Sequence, residues 1–266
     1  MSLPSVQKQI NIPCGNFINN NIHPIKHYYK DALLSDDLFT HEKAAKKTIN
    51  EIRPTKVGDL YNPKQLLSAY SNPKCIQKMI DANPKINDIL QEKGIDTNIC
   101  QTNISNILNS HITTTTSFAL QIANQMNIKP QDKKLLEQAC VFHDFGKVLI
   151  PSEILDKPGH LTEEEKSVVD LHSQLGYELL STTGMNNRVL NLIKNHHNPM
   201  SENADVLGQI LSVADIYSAL REDRSYKNSM SEQEALNLLD QKAREGEVST
   251  EVVNALKKAL TSAKVA

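Results

Sequence analysis

An all-α helical bundle is the fold class this sequence predicts, and three observations lead there. Only nine of the 266 residues are glycine, about half the usual share of ~7%. Doubly wound nucleotide-binding folds and all-β sandwiches use glycine at many turns, so the shortage disfavours both. Beyond residue 100, apolar residues recur at helical spacing with no strand candidate of comparable strength. A hydrophobic share of 39% is slightly lean, which suits helices with broad solvated faces. The length gives room for one large domain, or a modest domain with a smaller one attached, and is enough to bury a core.

Residues 1–32 hold Pro4, Pro13, Gly15, the asparagines Asn16, Asn19, Asn20 and Asn21, and Pro24, a composition expected of an irregular arm. Ser35, Asp36 and Asp37 are caps for a helix to Ile52, and Pro54 ends it. Asn72-Pro73 and Asn83-Pro84 each pair an N-cap with a first-turn proline, opening two short helices, the second stopped by Gly94. Residues 1–100 are therefore expected to form a small helical accessory region beside a main bundle over 101–266. In the bundle, helices are predicted at about 103–127 and 131–143, with a break at Lys157-Pro158-Gly159. Thr162 and Glu165 form a capping box that opens one helix to about residue 182. Further helices are predicted at 186–197, 204–222, 231–245 and 249–264. A second capping box, Ser231 with Glu234, precedes the apolar face of Ala235, Leu238 and Leu239.

Charge and cysteine usage exclude several classes. With 29 basic and 31 acidic side chains, the net charge of −2 gives no sign of DNA binding or of a membrane-surface partner. Cys14, Cys75, Cys100 and Cys140 form no CxxC pair, so neither a structural zinc site nor a disulfide framework is expected. The N-terminus lacks the apolar run of a signal peptide, and no stretch approaches the ~20 apolar residues that span a bilayer. A soluble cytoplasmic protein is expected.

The chemistry centres on His143-Asp144, at the end of an apolar helix. The pair offers an imidazole nitrogen and two carboxylate oxygens, a mixed set that suits zinc, manganese, iron or cobalt, and a carboxylate can bridge two ions. His111 lies one element upstream. His172 shares a helix face with Val168, Leu175, Gly176 and Leu179; His196-His197 close a helix carrying Val189, Leu192 and Ile193. Asp215 sits in the apolar run Ile210 to Tyr217, where an unpaired carboxylate is costly. Five of the nine histidines and two aspartates thus fall on helices facing one core. Cations that neutralise the carboxylates and bind neutral imidazoles give all seven a common reason. His23, His27, His41 and His160 lie in polar or irregular contexts and read as surface residues.

His143-Asp144-Phe145-Gly146-Lys147, the run Ile150 to Thr162, Val213 to Leu220, Asp223 to Lys227 and Met230 to Leu236 together resemble the HD-GYP branch of the HD-domain metal phosphohydrolases. The resemblance covers about 103–260. It implies an all-α bundle that binds iron or manganese, with zinc, cobalt or nickel as alternatives, and hydrolyses cyclic di-GMP. By the same resemblance His111, His143, Asp144 and Asp215 hold one of two divalent ions. Asp144 bridges to a second, completed by His172, His196 and His197. Lys147 contacts the scissile phosphate, and Arg224 and Lys227 hold substrate phosphates, a task to which a guanidinium fork is suited.

Two departures from the family pattern stand out. Ile107 occupies the place where members with a third metal carry an acid, so two ions are expected. After His196-His197, residues 198–214 are a shorter stretch than the family's and contain no Gly-Tyr-Pro motif. The loss bears on the substrate more than on hydrolysis. The expected enzyme is a metal-dependent phosphodiesterase of a cyclic dinucleotide or related nucleotide, with a metal-bridging hydroxide as nucleophile and Asp144 and Lys147 as catalytic residues. The alternatives are an HD-type hydrolase of another phosphoester, and a non-enzymatic nucleotide- or protein-binding module with structural metal.

Overall fold

The computed structural model describes residues 63–95, 110–202, 204–223 and 229–263. The arm over 1–32, the helix expected over 35–52, Ile107, Arg224 and Lys227 lie outside the described residues. Among the described residues there are helices and no strands, as the glycine shortage and periodicity predict. They are α1 (Pro63–Tyr70), α2 (Pro73–Ala82), α3 (Lys85–Glu92), α4 (Ser110–Gln125) and α5 (Pro130–Phe142). A 3-10 helix (Phe145–Leu149) follows, then α6 (Ser152–Leu155), α7 (Glu163–Val169), α8 (His172–Ser181), α9 (Asn187–Asn195), α10 (Val206–Arg221), α11 (Glu232–Arg244) and α12 (Thr250–Ala263).

The caps follow the sequence at most ends. Asn72 accepts from the Lys74 amide, Asn186 from Arg188 and Asp205 from Leu207. Both capping boxes form, each with the reciprocal glutamate bond. Asn83 is the exception. Its side-chain amide donates to the Glu178 carboxylate at 3.0 Å instead of capping α3, whose first turn opens at Pro84. Glu178, buried on α8, also receives Lys85 Nζ at 2.6 Å. A carboxylate taken out of water needs such partners, and this one ties α3 to α8.

The helix expected over 162–182 is two helices. The Leu171 amide turns back to the Val168 carbonyl at 3.2 Å, tightening the turn. His172 Nδ1 takes the Val169 carbonyl at 2.6 Å, an acceptor that an uninterrupted helix offers to the amide of Ser173. The side chain has displaced a rung of the ladder, and the chain changes direction at the histidine.

α4 packs on α5, α10 and α12, while α8 packs on α9 and the 3-10 helix. α10 is buried on most sides through Leu207, Ile210, Leu211, Val213, Ala214 and Tyr217, as a helix apolar all round must be. α1 packs on α5, and α2 and α3 on α8.

Two of the few glycines allow a close backbone approach. A Cβ built on Gly146 would lie 2.0 Å from the His172 carbonyl oxygen and 2.5 Å from the Gly176 amide. One on Gly176 would meet the Gly146 amide at 3.2 Å and Ile193 at 3.3 Å. The 3-10 helix and α8 touch backbone to backbone here, one turn from His143-Asp144 on one side and from His172 on the other. Gly146→Ala must push these elements apart. The expected loss is about 3 kcal/mol or more, a fall of about 6–12 °C in Tm for a domain of this size. Calorimetry on metal-free protein checks it, and an unchanged Tm contradicts the contact.

Candidate metal centre

Three of the histidines stand where a helix runs out. His143 follows α5, His196 follows α9, and His172 begins α8 at the break after α7. The last carbonyls of a helix have no amide to pair with, and each ring uses one. Nδ1 of His143 lies 2.7 Å from the Cys140 carbonyl, that of His172 2.6 Å from Val169, and that of His196 2.7 Å from Ile193. A carbonyl can only accept, so the proton sits on Nδ1 and a neutral ring presents a bare lone pair at Nε2. This tautomer is the one a metal needs.

The three Nε2 atoms and that of His197 point into the bundle's interior. His172 Nε2 is 3.2 Å from His196 Nε2 and 3.1 Å from His197 Nε2. His172 and His196 are buried, while His197 borders solvent. Burial, together with neighbouring cations in the cluster, lowers the pKa of all three. For His172 it falls to about 4, despite an opposing pull from Asp144.

Beside them lies a second group. Asp144 Oδ1 is 3.3 Å from His172 Nε2, and its Oδ2 is 2.7 Å from Lys147 Nζ and 3.5 Å from His143 Nε2. His143 Nε2 is also 3.6 Å from Asp215 Oδ1, and His111 Nε2 is 2.8 Å from that same oxygen. Burial works to raise the pKa of both aspartates. Lys147 and His143 outweigh it at Asp144, and His111 and His143 at Asp215, holding both carboxyls well below the usual range. Burial opposes charging His111 too, but Asp215 and Glu222 lift its pKa to about 9.

The donor set fits metal ions. His143 Nε2 is fully buried with no hydrogen-bond partner, a costly state for a polar atom unless something binds it. Two bare imidazole lone pairs at 3.2 Å repel unless a proton or cation lies between them. Ligands bonded to one ion at about 2.0–2.2 Å stand about 3–3.5 Å from each other. Two trios, His111-His143-Asp215 and His172-His196-His197, each keep their ligand atoms within 4.8 Å of one another, and Asp144 reaches both.

The seven expected ligand residues thus come together, and Lys147 joins them through Asp144. His160 is exposed, as expected of a surface residue, whereas His23, His27 and His41 are outside the described residues along with Arg224 and Lys227. Sequence reasoning missed Glu222, whose Oε2 is 3.2 Å from His111 Nδ1, and the hydroxyls of Thr114 and Ser218 that surround it. The signal was present: Glu222 lies seven residues, two helical turns, beyond Asp215 and so on the same face. An acid at the end of a helix reads as solvated, which concealed it.

Two donor trios, His111-His143-Asp215 and His172-His196-His197, thus meet beside Asp144 in a helical bundle, an arrangement that could hold metal ions. The chain belongs to the HD domain family, which matches residues 100–251, more than half its length. Over 132 residues it is 33% identical to the cyclic di-GMP phosphodiesterase response regulator RpfG of Xanthomonas campestris, covering 44% of this chain and 34% of that protein. Over 149 residues it is 31% identical to the 3'3'-cGAMP-specific phosphodiesterase 3 of Vibrio cholerae, covering 52% of this chain and 32% of that one. The matched segment spans about a third of the length of these relatives. Among solved structures, Bd1817, an HDG"Y"P protein from Bdellovibrio bacteriovorus, is similar with a TM-score of 0.47 and 16% identity, covering 90% of this chain and 77% of that one. No helix among the described residues is long and apolar enough to cross a membrane.

The charge arrangement sets a pH profile for the metal-free protein. His172, at about 4, and its two neighbours stay neutral when folded, whereas unfolded histidines protonate near about 6.5. The unfolded chain therefore takes up more protons below that pH, and stability falls as pH drops from about 6.5 towards 4. His111 has the opposite sign. Its contribution is complete below about 6.5 and is lost as pH rises through about 9. Thermal melts of chelator-treated protein should peak near pH 6.5 and decline on both sides; a flat profile from pH 5 to 9 contradicts these assignments.

Proposed function

We propose that the chain is a metal-dependent phosphodiesterase that hydrolyses a cyclic dinucleotide. The observation that carries this reading is the pair of adjoining donor trios around Asp144, with the Lys147 ammonium 2.7 Å from its Oδ2. His111, His143 and Asp215 would hold one ion, His172, His196 and His197 a second, and Asp144 would serve both. Iron and manganese suit this mixed nitrogen and carboxylate set, and zinc, cobalt and nickel share its chemistry. When bound, the ions supply Lewis-acid polarisation of a phosphoryl oxygen and a water acidified towards neutral pH.

The chain's own side chains perform the remaining tasks. The Nδ1-to-carbonyl bonds of His143, His172 and His196 hold three rings in one tautomer and orientation, so the site needs little rearrangement to bind its ions. Lys147, with its side chain 30% exposed, stands at the rim and can meet a phosphoryl oxygen as negative charge grows there. Arg224 and Lys227, matched to the family pattern in sequence, would hold substrate phosphates. Water adds across one phosphorus–oxygen bond: its oxygen joins phosphorus, and the ribose oxygen leaves with a proton. The names of the relatives, cyclic di-GMP and 3'3'-cGAMP phosphodiesterases, support two purine nucleotides in a ring as the substrate class.

One observation favours a second reading. Between His197 and α10 the chain needs only residues 198–205, without a Gly-Tyr-Pro motif. A pocket wall altered there suits a related but different phosphoester. Purified protein is expected to carry about two transition-metal ions by elemental analysis and to cleave cyclic di-GMP or 3'3'-cGAMP in preference to mononucleotides. Preference for a simple phosphoester would favour the second reading, and metal-replete protein that binds dinucleotide without forming product would overturn both. Asp144→Ala should abolish turnover, since both ions lose a shared ligand; full activity in that variant contradicts the site.

A further inference from the structure

His111 differs from the other buried histidines of the centre. His143, His172 and His196 each anchor Nδ1 on a carbonyl left over where a helix ends. His111 stands near the start of a helix, in the first turn of α4, and not where one runs out. Its Nδ1 instead faces Glu222 Oε2 at 3.2 Å and Ser218 Oγ at 3.3 Å. On the other edge of the ring, Nε2 lies 2.8 Å from Asp215 Oδ1.

Glu222 is itself held in place. Thr114 Oγ1 donates to its Oε1 at 2.8 Å, and Ser218 Oγ lies 3.3 Å from the same oxygen. The two hydroxyls are 2.6 Å apart. One carboxylate oxygen is thus occupied by hydroxyls from α4 and α10, which turns the other towards the imidazole. The side chain is only 22% exposed, so this is not a solvated surface contact. Ser218 sits one turn beyond Asp215 on α10 and Glu222 is the residue that caps its C-terminus, so one helix and its cap supply both the carboxylate at Nε2 and the one at Nδ1.

We propose that Glu222 is a positioning residue of the centre: it accepts the Nδ1 proton of His111, so that Nε2 presents its lone pair beside Asp215 and His143. The assignment rests on the metal reading above. A carboxylate partner at the far nitrogen fixes ring orientation and makes the imidazole a stronger donor, and losing such a partner typically costs about 10–100-fold in metal affinity. The effect should fall on one ion, because the trio of His172, His196 and His197 has no contact with Glu222 among the described hydrogen bonds.

Cobalt(II) titration of the chelator-treated full chain tests this, read by calorimetry and by the visible absorption of the bound ion. Glu222→Ala should weaken one of the two sites about 10–100-fold, shift its absorption and leave the other site at wild-type affinity. Glu222→Gln keeps an acceptor oxygen but loses the charge, so it should fold normally and show a smaller, several-fold loss at that site. The Gln variant decides the matter if the Ala variant fails to fold. Wild-type affinity and spectrum at both sites in folded Glu222→Gln overturn the proposal. So does an equal weakening of both sites with a fall in the Tm of metal-free protein, which is the pattern of a general structural role. Wild-type protein that binds no cobalt overturns the metal reading itself, a failure distinct from either of these.

Discussion

Where Gly146 meets α8 there is no room for a side chain, and the rest of the centre depends on that contact. A methyl group there would fall 2.0 Å from the His172 carbonyl oxygen, well inside van der Waals contact. With hydrogen in its place, the segment that follows His143-Asp144 lies directly on the helix that begins at His172. Asp144 Oδ1 can then stand 3.3 Å from His172 Nε2. Moving the backbones apart would lengthen that approach of Asp144 to His172. A chain that uses glycine sparingly has placed two, Gly146 and Gly176, on this one interface.

A second constraint is electrostatic. Asp144 and Asp215 are close, largely buried carboxylates, and each ion taken from water costs several kcal/mol even after relaxation. In the metal-free protein Lys147 and the ring of His111 offset part of this charge. His172, His196 and His197 cannot, because burial keeps them neutral. The site is therefore asymmetric, with one trio rich in negative charge and the other made of neutral nitrogen donors, joined through Asp144. That division gives the two positions different ligand chemistry within a few ångströms.

Much of this was legible in the sequence because it is written in local rules. The two capping boxes, the Asn72 cap and the positive-φ Gly94 follow from residues within a few positions of one another. The seven donor residues were also legible, since histidine and aspartate at apolar helix positions are costly without a shared purpose. Reading failed where a side chain took a partner that the local helix pattern assigns elsewhere. Asn83 has the spacing of a cap, yet Glu178, distant in sequence, takes its amide. The helix expected through 182 breaks because His172 takes the Val169 carbonyl. Glu222 has no apolar context and so drew no attention, although His111, Thr114 and Ser218 converge on it.

The sequence by itself determined the helical class, most helix ends and which histidines and aspartates gather at the candidate centre, because periodicity, capping and the cost of buried polar groups act over a few residues. Only the tertiary structure decided which nitrogen of each histidine faces the centre, which carboxylates share a neighbour and how closely the donors approach. Those choices depend on orphan carbonyls at helix ends and on a backbone contact between Gly146 and Gly176. Both exist only once separate helices have packed.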